Sequence, residues 1–380
     1  MIIRNGVLFT QDNTLKQADL LLEGGRIVQI APAGSLEGEA IDARGNYVLP
    51  GFVDIHTHAC VNSDFCDADA DGIARMLAYY GKEGITSVVP ATMSFDEPIL
   101  ADVLKTILPF FEREGTGAVL RGINMEGPFF NRVKKGAQND QYIMDPSIEM
   151  FDNLFGLCDG RIRLVSVAPE LPGGMEFIRA ASKHCTVSVA HTEADYEIAM
   201  AAFEAGASHV THLFNAMSPF LHRAPGVVGA AFDKAEHVEV ISDGFHLHPS
   251  VVRSAFAWFG AGRICLVSDS MRGTGMPDGA DYSLGGLRVI MKEGKATLED
   301  GTIAGSTTNL AECCRRAIGF GVPIEQALRA ATENPARAAG IFGEVGSLMP
   351  GKRADLVFWD KEFNTRAVFF GGEMIANTRI

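Results

Sequence analysis

From Phe52 to Asp269 the chain alternates between short runs of branched apolar residues and longer segments with helical periodicity. The runs fall at 52–55, 85–89, 118–124, 163–167, 186–190, 209–212, 238–242 and 264–268. Helical segments lie between most of them, near 72–82, 98–114, 194–205 and 250–259. Apolar runs of about four to eight residues, separated by helices, favour parallel strands joined by helical crossovers. Eight repeats of that unit match the count of a (β/α)8 TIM-type barrel. Residues 310–340 read as closing helices.

The two ends differ in style from the middle. Residues 1–50 are short strands with polar turns, and Gly24-Gly25 reads as a hairpin turn. Residues 346–380 return to strands, with Gly371-Gly372 as a second such turn. The expected organisation is a barrel over 51–345 and a small β-sandwich domain from 1–50 and 346–380.

In such barrels the reacting groups sit at the C-terminal ends of the strands. Here those ends carry His56 and His58, Glu126, His191, His212 with Asn215, Asp243 with His246, and Asp269. On a strand His56 and His58 point to the same side. Each residue alone has a plain explanation, such as a histidine closing a strand or a carboxylate bonding a loop. Their convergence on one rim points to metal and acid–base chemistry. The fourth strand ends in Ala168-Pro-Glu170, so it offers no lysine for a carbamate bridge.

Composition excludes other classes. The net charge of −14 argues against nucleic acid or an anionic membrane as partner. No apolar run has the length of a membrane span, and the first residues lack the pattern of a secretory signal. Seven cysteines, without any Cys-x-x-Cys and with Cys313 beside Cys314, read as reduced thiols in a cytoplasmic protein.

The strand-end motifs resemble the amidohydrolase superfamily and, within it, the N-acetylglucosamine-6-phosphate deacetylases. They are Leu49-Pro-Gly-Phe-Val-Asp-Ile-His-Thr-His58, Asn124-Met-Glu-Gly-Pro-Phe129, Lys135-Gly-Ala137 and Ala190-His-Thr192. Thr211-His-Leu-Phe-Asn-Ala-Met217, Arg223-Ala-Pro-Gly226, Ser242-Asp-Gly-Phe-His246, Val267-Ser-Asp269 and Ala304-Gly-Ser306 follow, with Gly346-Ser-Leu-Met-Pro-Gly-Lys-Arg-Ala-Asp-Leu-Val357 near the end. The resemblance implies Glu126, His191 and His212 as principal metal ligands and His56 and His58 as ligands of a second ion. The ion implied is divalent, zinc ahead of Fe2+, with one or two per subunit. Asp269 is implied as general base and acid. Substrate contacts are implied for Ala137, Gln138, Asn215, Ala216, Arg223, His246, Ile303, Ala304 and Gly305. The substrate implied is a phosphorylated amino sugar, with Arg223 reaching the phosphate across a homodimer interface.

Two departures accompany the resemblance. The family's Lys-Gly-Ala-His is Lys135-Gly136-Ala137-Gln138 here, and the glycines that usually follow the histidine pair are Ala59-Cys60-Val61-Asn62. The expected reaction is removal of the acetyl group from N-acetylglucosamine 6-phosphate. The galactosamine epimer, another amidohydrolase reaction and an inactive scaffold are the alternatives.

Overall fold

The computed structural model describes residues 1–111 and 117–377. Both ends of the chain build one eight-stranded sheet. Ile2–Phe9, Leu15–Glu23, Arg26–Pro32, Ala40–Asp42 and Tyr47–Pro50 come from the front, and Leu356–Trp359, Thr365–Phe370 and Glu373–Asn377 from the back. Val48 pairs with Phe358 at the antiparallel seam between them. Alternate residues, among them Ile3, Leu20, Leu22, Val48, Leu356 and Phe358, share one buried cluster, as a half-buried sheet requires. Gly24 and Gly25, both at positive φ, turn Leu15–Glu23 into Arg26–Pro32 as expected.

The chain leaves this sheet at Gly51. A Cβ there would lie 2.0 Å from Thr86 Oγ1, so only glycine permits the approach. Phe52–Asp54 then runs parallel to Ile85–Val88, which runs parallel to Val119–Leu120. Ile123–Met125, Ile162–Val167, Thr186–Val189, His209–Val210, His237–Val240 and Ile264–Leu266 continue in parallel, each beside the next. The arrangement is a mixed α/β fold, with helices between most successive strands.

The expected run at 118–124 splits into Val119–Leu120 and Ile123–Met125. Its first half pairs with Ser87–Val88 and its second with the strand that begins at Ile162. Asn124 also bridges Ala91 on the first side, so the stretch stays between its two neighbours, but four steps from Leu120 to Asn124 face three from Val88 to Ala91, and the extra residue breaks the strand. At the other end of the series, Asp269 N–H donates to His56 O at 2.8 Å and His58 N–H donates to Ser270 O at 3.0 Å. The eighth strand thus meets the first.

Several helices start on side-chain caps that satisfy free N–H groups. Asp69 caps Ala70–Glu83, Ser147 caps Ile148–Leu157, Asp195 caps Tyr196–Ala205 and Asn309 caps Leu310–Gly319. The helix expected over 98–114 is Glu97–Ile107 followed by the tight turn Leu108–Phe110. Leu108 keeps helical dihedrals and donates to Leu104 O, and the ladder stops at Pro109, which has no N–H to donate; the expectation over 112–114 lies outside the described residues. The closing helices are Leu310–Gly319, Ile324–Ala331 and Glu333–Ala338.

A three-stranded antiparallel sheet, Asp281–Leu284, Leu287–Lys292 and Lys295–Thr297, was not expected from the sequence. Its signal was present. Gly285-Gly286 makes a two-residue turn between Leu284 and Leu287, and Leu284, Val289 and Met291 are buried.

The large core lies between strands and helices, with Phe52, Tyr80, Phe177 and Trp359 fully buried. Burying each such aromatic stabilises by about 1.5–3 kcal/mol. A separate buried cluster joins Val53, Ile55, Leu164, Cys265 and Val267 of the parallel strands to Ala336 and Val345. Above them is a polar layer, where Thr211 bonds Ser188 at 2.6 Å and Ser166 at 3.1 Å. Among the described residues, no helix is long and apolar enough to cross a membrane. All seven cysteines are free thiols.

Candidate active site

The strand-end residues meet at one cavity of about 250 Å³. Its wall includes His58, Glu126, Ala137, Gln138, His191, His212, Asn215, Ala216, His246, Asp269, Ile303 and Gly305. His56 lies beneath the wall, wholly buried. Ala304 turns away into the apolar cluster of Met93, Met271 and Leu284. Arg223 is exposed, does not line the cavity and has no ion pair among the described residues. Gly136 of the Lys135–Gln138 motif completes the wall with Met93, Leu284 and Thr302, which were not singled out in the sequence.

Local backbone geometry presents these groups. His191, His212 and Asp269 have φ of 45°, 26° and 47°, each just beyond the end of its strand. Non-glycine residues adopt this left-handed region at a cost, and such strain clusters at functional sites. The turn swings each side chain inward. Phe214 and Ala216, at φ 77° and 49°, continue the same device in the sixth loop.

Two triads share Glu126. Glu126 Oε1 is 3.3 Å from His191 Nε2, 3.4 Å from His212 Nε2 and 3.5 Å from His56 Nε2. Its other oxygen is 3.2 Å from His58 Nε2. His191 Nδ1–H donates to Lys134 O at 2.8 Å, which leaves Nε2 as a lone pair. That lone pair lies 3.1 Å from His212 Nε2. His56 Nδ1–H donates to Glu239 at 2.8 Å, and His56 Nε2 has no hydrogen-bond partner among the described residues although it is buried. Several buried imidazole lone pairs and a carboxylate crowded together fit a divalent cation, and imidazole with carboxylate suits zinc or iron.

The electrostatics agree. Burial raises the Glu126 carboxyl, but the imidazoles, His56 foremost, outweigh it and hold it well below the usual range. Burial lowers His58, but Asp269 and Glu126 carry it up to about 10. The carboxylates therefore hold positive charge here, whether proton or metal. Asp269 Oδ1 sits 3.2 Å from His58 Nε2, and its Oδ2 sits 3.9 Å from His246 Nε2. Despite burial, the Asp269 carboxyl is lowered by His58, His56 and His246. Asp243 accepts from His246 Nδ1–H at 2.7 Å, so the ring presents Nε2 to the cavity.

Gln138 lines the cavity with its carboxamide already engaged. Its Nε2 donates to Glu126 Oε2 at 3.1 Å and its Oε1 accepts from Ser94 N–H at 2.8 Å. Asn215 folds its amide back onto His212 O at 3.2 Å, so what it and Ala216 offer the cavity is chiefly backbone. Glu170, at the end of the fourth strand, accepts from Asn131, Thr192 and the Glu193 N–H, and ties the loops on either side of it. After His58, Ala59–Cys60 and Ser63–Asp64 form a small hairpin, with Val61 and Asn62 at positive φ. Glu239, buried under the two triads, was missed by the sequence reading. A carboxylate inside an apolar strand was its only signal.

A model described as the Amidohydrolase family matches residues 47–375. The N-acetylglucosamine-6-phosphate deacetylase of Bacillus subtilis is 34% identical over 366 residues, covering 94% of this chain and 92% of that protein. The N-acetylgalactosamine-6-phosphate deacetylase of Escherichia coli O157:H7 is 31% identical over 376 residues, covering 98% of each. Among solved structures, a mutant N-acetyl-D-glucosamine-6-phosphate deacetylase from Mycobacterium smegmatis in complex with N-acetyl-D-glucosamine-6-phosphate superposes with a TM-score of 0.93. It is 31% identical, and the match covers 99% of both chains.

Proposed function

The chain belongs to the amidohydrolase family, and from that premise we infer that it hydrolyses the N-acetyl group of N-acetylglucosamine 6-phosphate, giving glucosamine 6-phosphate and acetate. The observation that carries this reading is the cavity itself, where two His/Glu triads face Asp269. We take the eight parallel strands as a closed (β/α)8 barrel over 51–345, with the sheet of 1–50 and 346–380 as a small β-sandwich. The free thiols support a cytoplasmic setting.

Glu126, His191 and His212 would hold one divalent ion, with zinc our first choice, and His56 and His58 would share a second with Glu126. A divalent ion held there supplies a Lewis acid, which polarises a carbonyl and makes water a stronger acid. Asp269 takes a proton from the attacking water and returns it to the departing nitrogen, because an amine leaves an acyl carbon only when protonated. His246, fixed by Asp243, binds the substrate on the same side. The backbone of Asn215 and Ala216 and the Arg223 guanidinium hold the phosphate. The loop of Ile303, Ala304 and Gly305 closes over the sugar. Arg223 acts from a neighbouring subunit in a homodimer. Its exposure beside exposed Phe220 and Leu221 supports that arrangement.

The galactosamine epimer is the second reading, because a relative with that name matches 98% of the chain. An inactive scaffold is disfavoured by the intact Asp269 and ligand set. Acetate release from a panel of N-acetylated sugars, with and without 6-phosphate, tests the reading. Fastest release from the gluco 6-phosphate supports it, and release only from unphosphorylated or cyclic amides overturns it.

Gln138 carries a separate prediction. Gln138→Ala leaves Glu126 Oε2 and Ser94 N–H without these partners in a buried site, at about 1–3 kcal/mol for each group left unpaired. Both melting temperature and kcat should fall. Gln138→His, which restores the family's residue, should raise kcat on N-acetylglucosamine 6-phosphate with metal content unchanged. A fall on that substrate with a gain on none would show that the amide contact to Glu126 is what the site needs.

A further inference from the structure

Glu239 lies in the strand His237–Val240, wholly buried and outside the cavity wall. Three donors reach it. Its Oε2 accepts from His56 Nδ1–H at 2.8 Å and from His212 N–H at 3.0 Å, and its Oε1 accepts from His209 Nε2–H at 3.2 Å. One carboxylate therefore touches a member of each triad.

The two contacts do different work. On His56 the bond fixes the ring and its tautomer, so that Nε2 keeps its lone pair 3.5 Å from Glu126 Oε1. On His212 the bond holds the backbone at φ 26°, a conformation that a residue with a side chain seldom keeps unaided. That turn brings His212 Nε2 to 3.1 Å from His191 Nε2. Nothing in substrate binding needs a charge at this depth, and a buried carboxylate is costly to keep.

We propose that Glu239 is a positioning residue for the metal centre, orienting His56 in one triad and His212 in the other. The proposal rests on the metal-dependent reading above and extends it to a residue that touches neither substrate nor ion. Glutamine at 239 keeps the shape. It offers one accepting oxygen to His56 and His212 and turns its NH2 to His209, which can accept by switching tautomer. What it removes is the charge that makes His56 a stronger ligand.

The test uses full-length protein loaded with zinc and dialysed against graded chelator, with zinc per chain read by elemental mass spectrometry. Glu239→Gln should retain zinc tenfold to a hundredfold less tightly, the range for losing a carboxylate behind a ligating histidine. Its melting temperature without zinc should stay near the parent's, while the rise on adding zinc shrinks. The effect should also largely vanish in a His56→Ala background, since most of it passes through that ring. If Glu239→Gln does not fold, Glu239→Asp, which keeps the charge but shortens the reach, is read the same way. Equal zinc retention by parent and variant, or full additivity with His56→Ala, overturns the proposal and leaves the function intact. A parent that binds no zinc and no other divalent ion overturns both.

Discussion

Asp269→Asn abolishes turnover while the metal stays bound. Asparagine keeps the shape of the side chain, and the main-chain bonds at 269 are untouched: its N–H to His56 O at 2.8 Å, and its O from Ser306 N–H at 2.6 Å. The left-handed turn that carries residue 269 is equally preserved, since asparagine tolerates that region well. What disappears is the ability to accept a proton and return it. Loss of general acid–base catalysis costs at least about a hundredfold, and kcat should fall by that much or more. The measurement pairs kcat with metal content on the same preparation. Near-normal kcat at full metal removes Asp269 from the proton transfer. Loss of metal together with kcat reassigns it as a ligand.

The sequence made the repeating unit legible because apolar strands and helices differ in length and period, and because ligand-type residues stood at the strand ends. His56, His58, Glu126, His191, His212 and Asp269 could be found by position alone, and the fold brings them to one place. Other features depend on partners far away in sequence. The break between Val119–Leu120 and Ile123–Met125 follows from one residue more than its partner segment carries between Val88 and Ala91. Glu239 sits among valines in a strand, and only the approach of His56, His209 and His212 from two other strands gives it a role. The positive φ of His191, His212 and Asp269 runs against local preference, so local reasoning predicts ordinary turns there. Gln138 stood out as a departure, but its direction could not be read. The fold turns its amide toward Glu126 and Ser94.

Arg223→Ala should separate substrates. The side chain is exposed and without an ion pair among the described residues, so its removal costs the fold little. A charge-assisted contact to phosphate is worth about 1.5–3 kcal/mol, which converts to a rise in KM of roughly tenfold to over a hundredfold. That rise should appear for the 6-phosphate and not for an unphosphorylated N-acetyl sugar. Equal effects on both would assign Arg223 to assembly. The surroundings also predict where it acts. Leu221 and Phe220 are exposed beside it, and Phe220 packs against exposed Trp258 with ring centroids 5.4 Å apart. An apolar face of this kind suits an interface, and in the proposed homodimer Arg223 would serve the partner's cavity. Mixing Arg223→Ala and Asp269→Asn subunits tests this directly. In a mixed dimer the Arg223→Ala chain keeps its own Asp269 and receives Arg223 from its partner, so one cavity regains both groups. Activity with the parent's KM should return on mixing and subunit exchange. If exchange is demonstrated and only the high-KM activity remains, Arg223 serves its own chain's cavity.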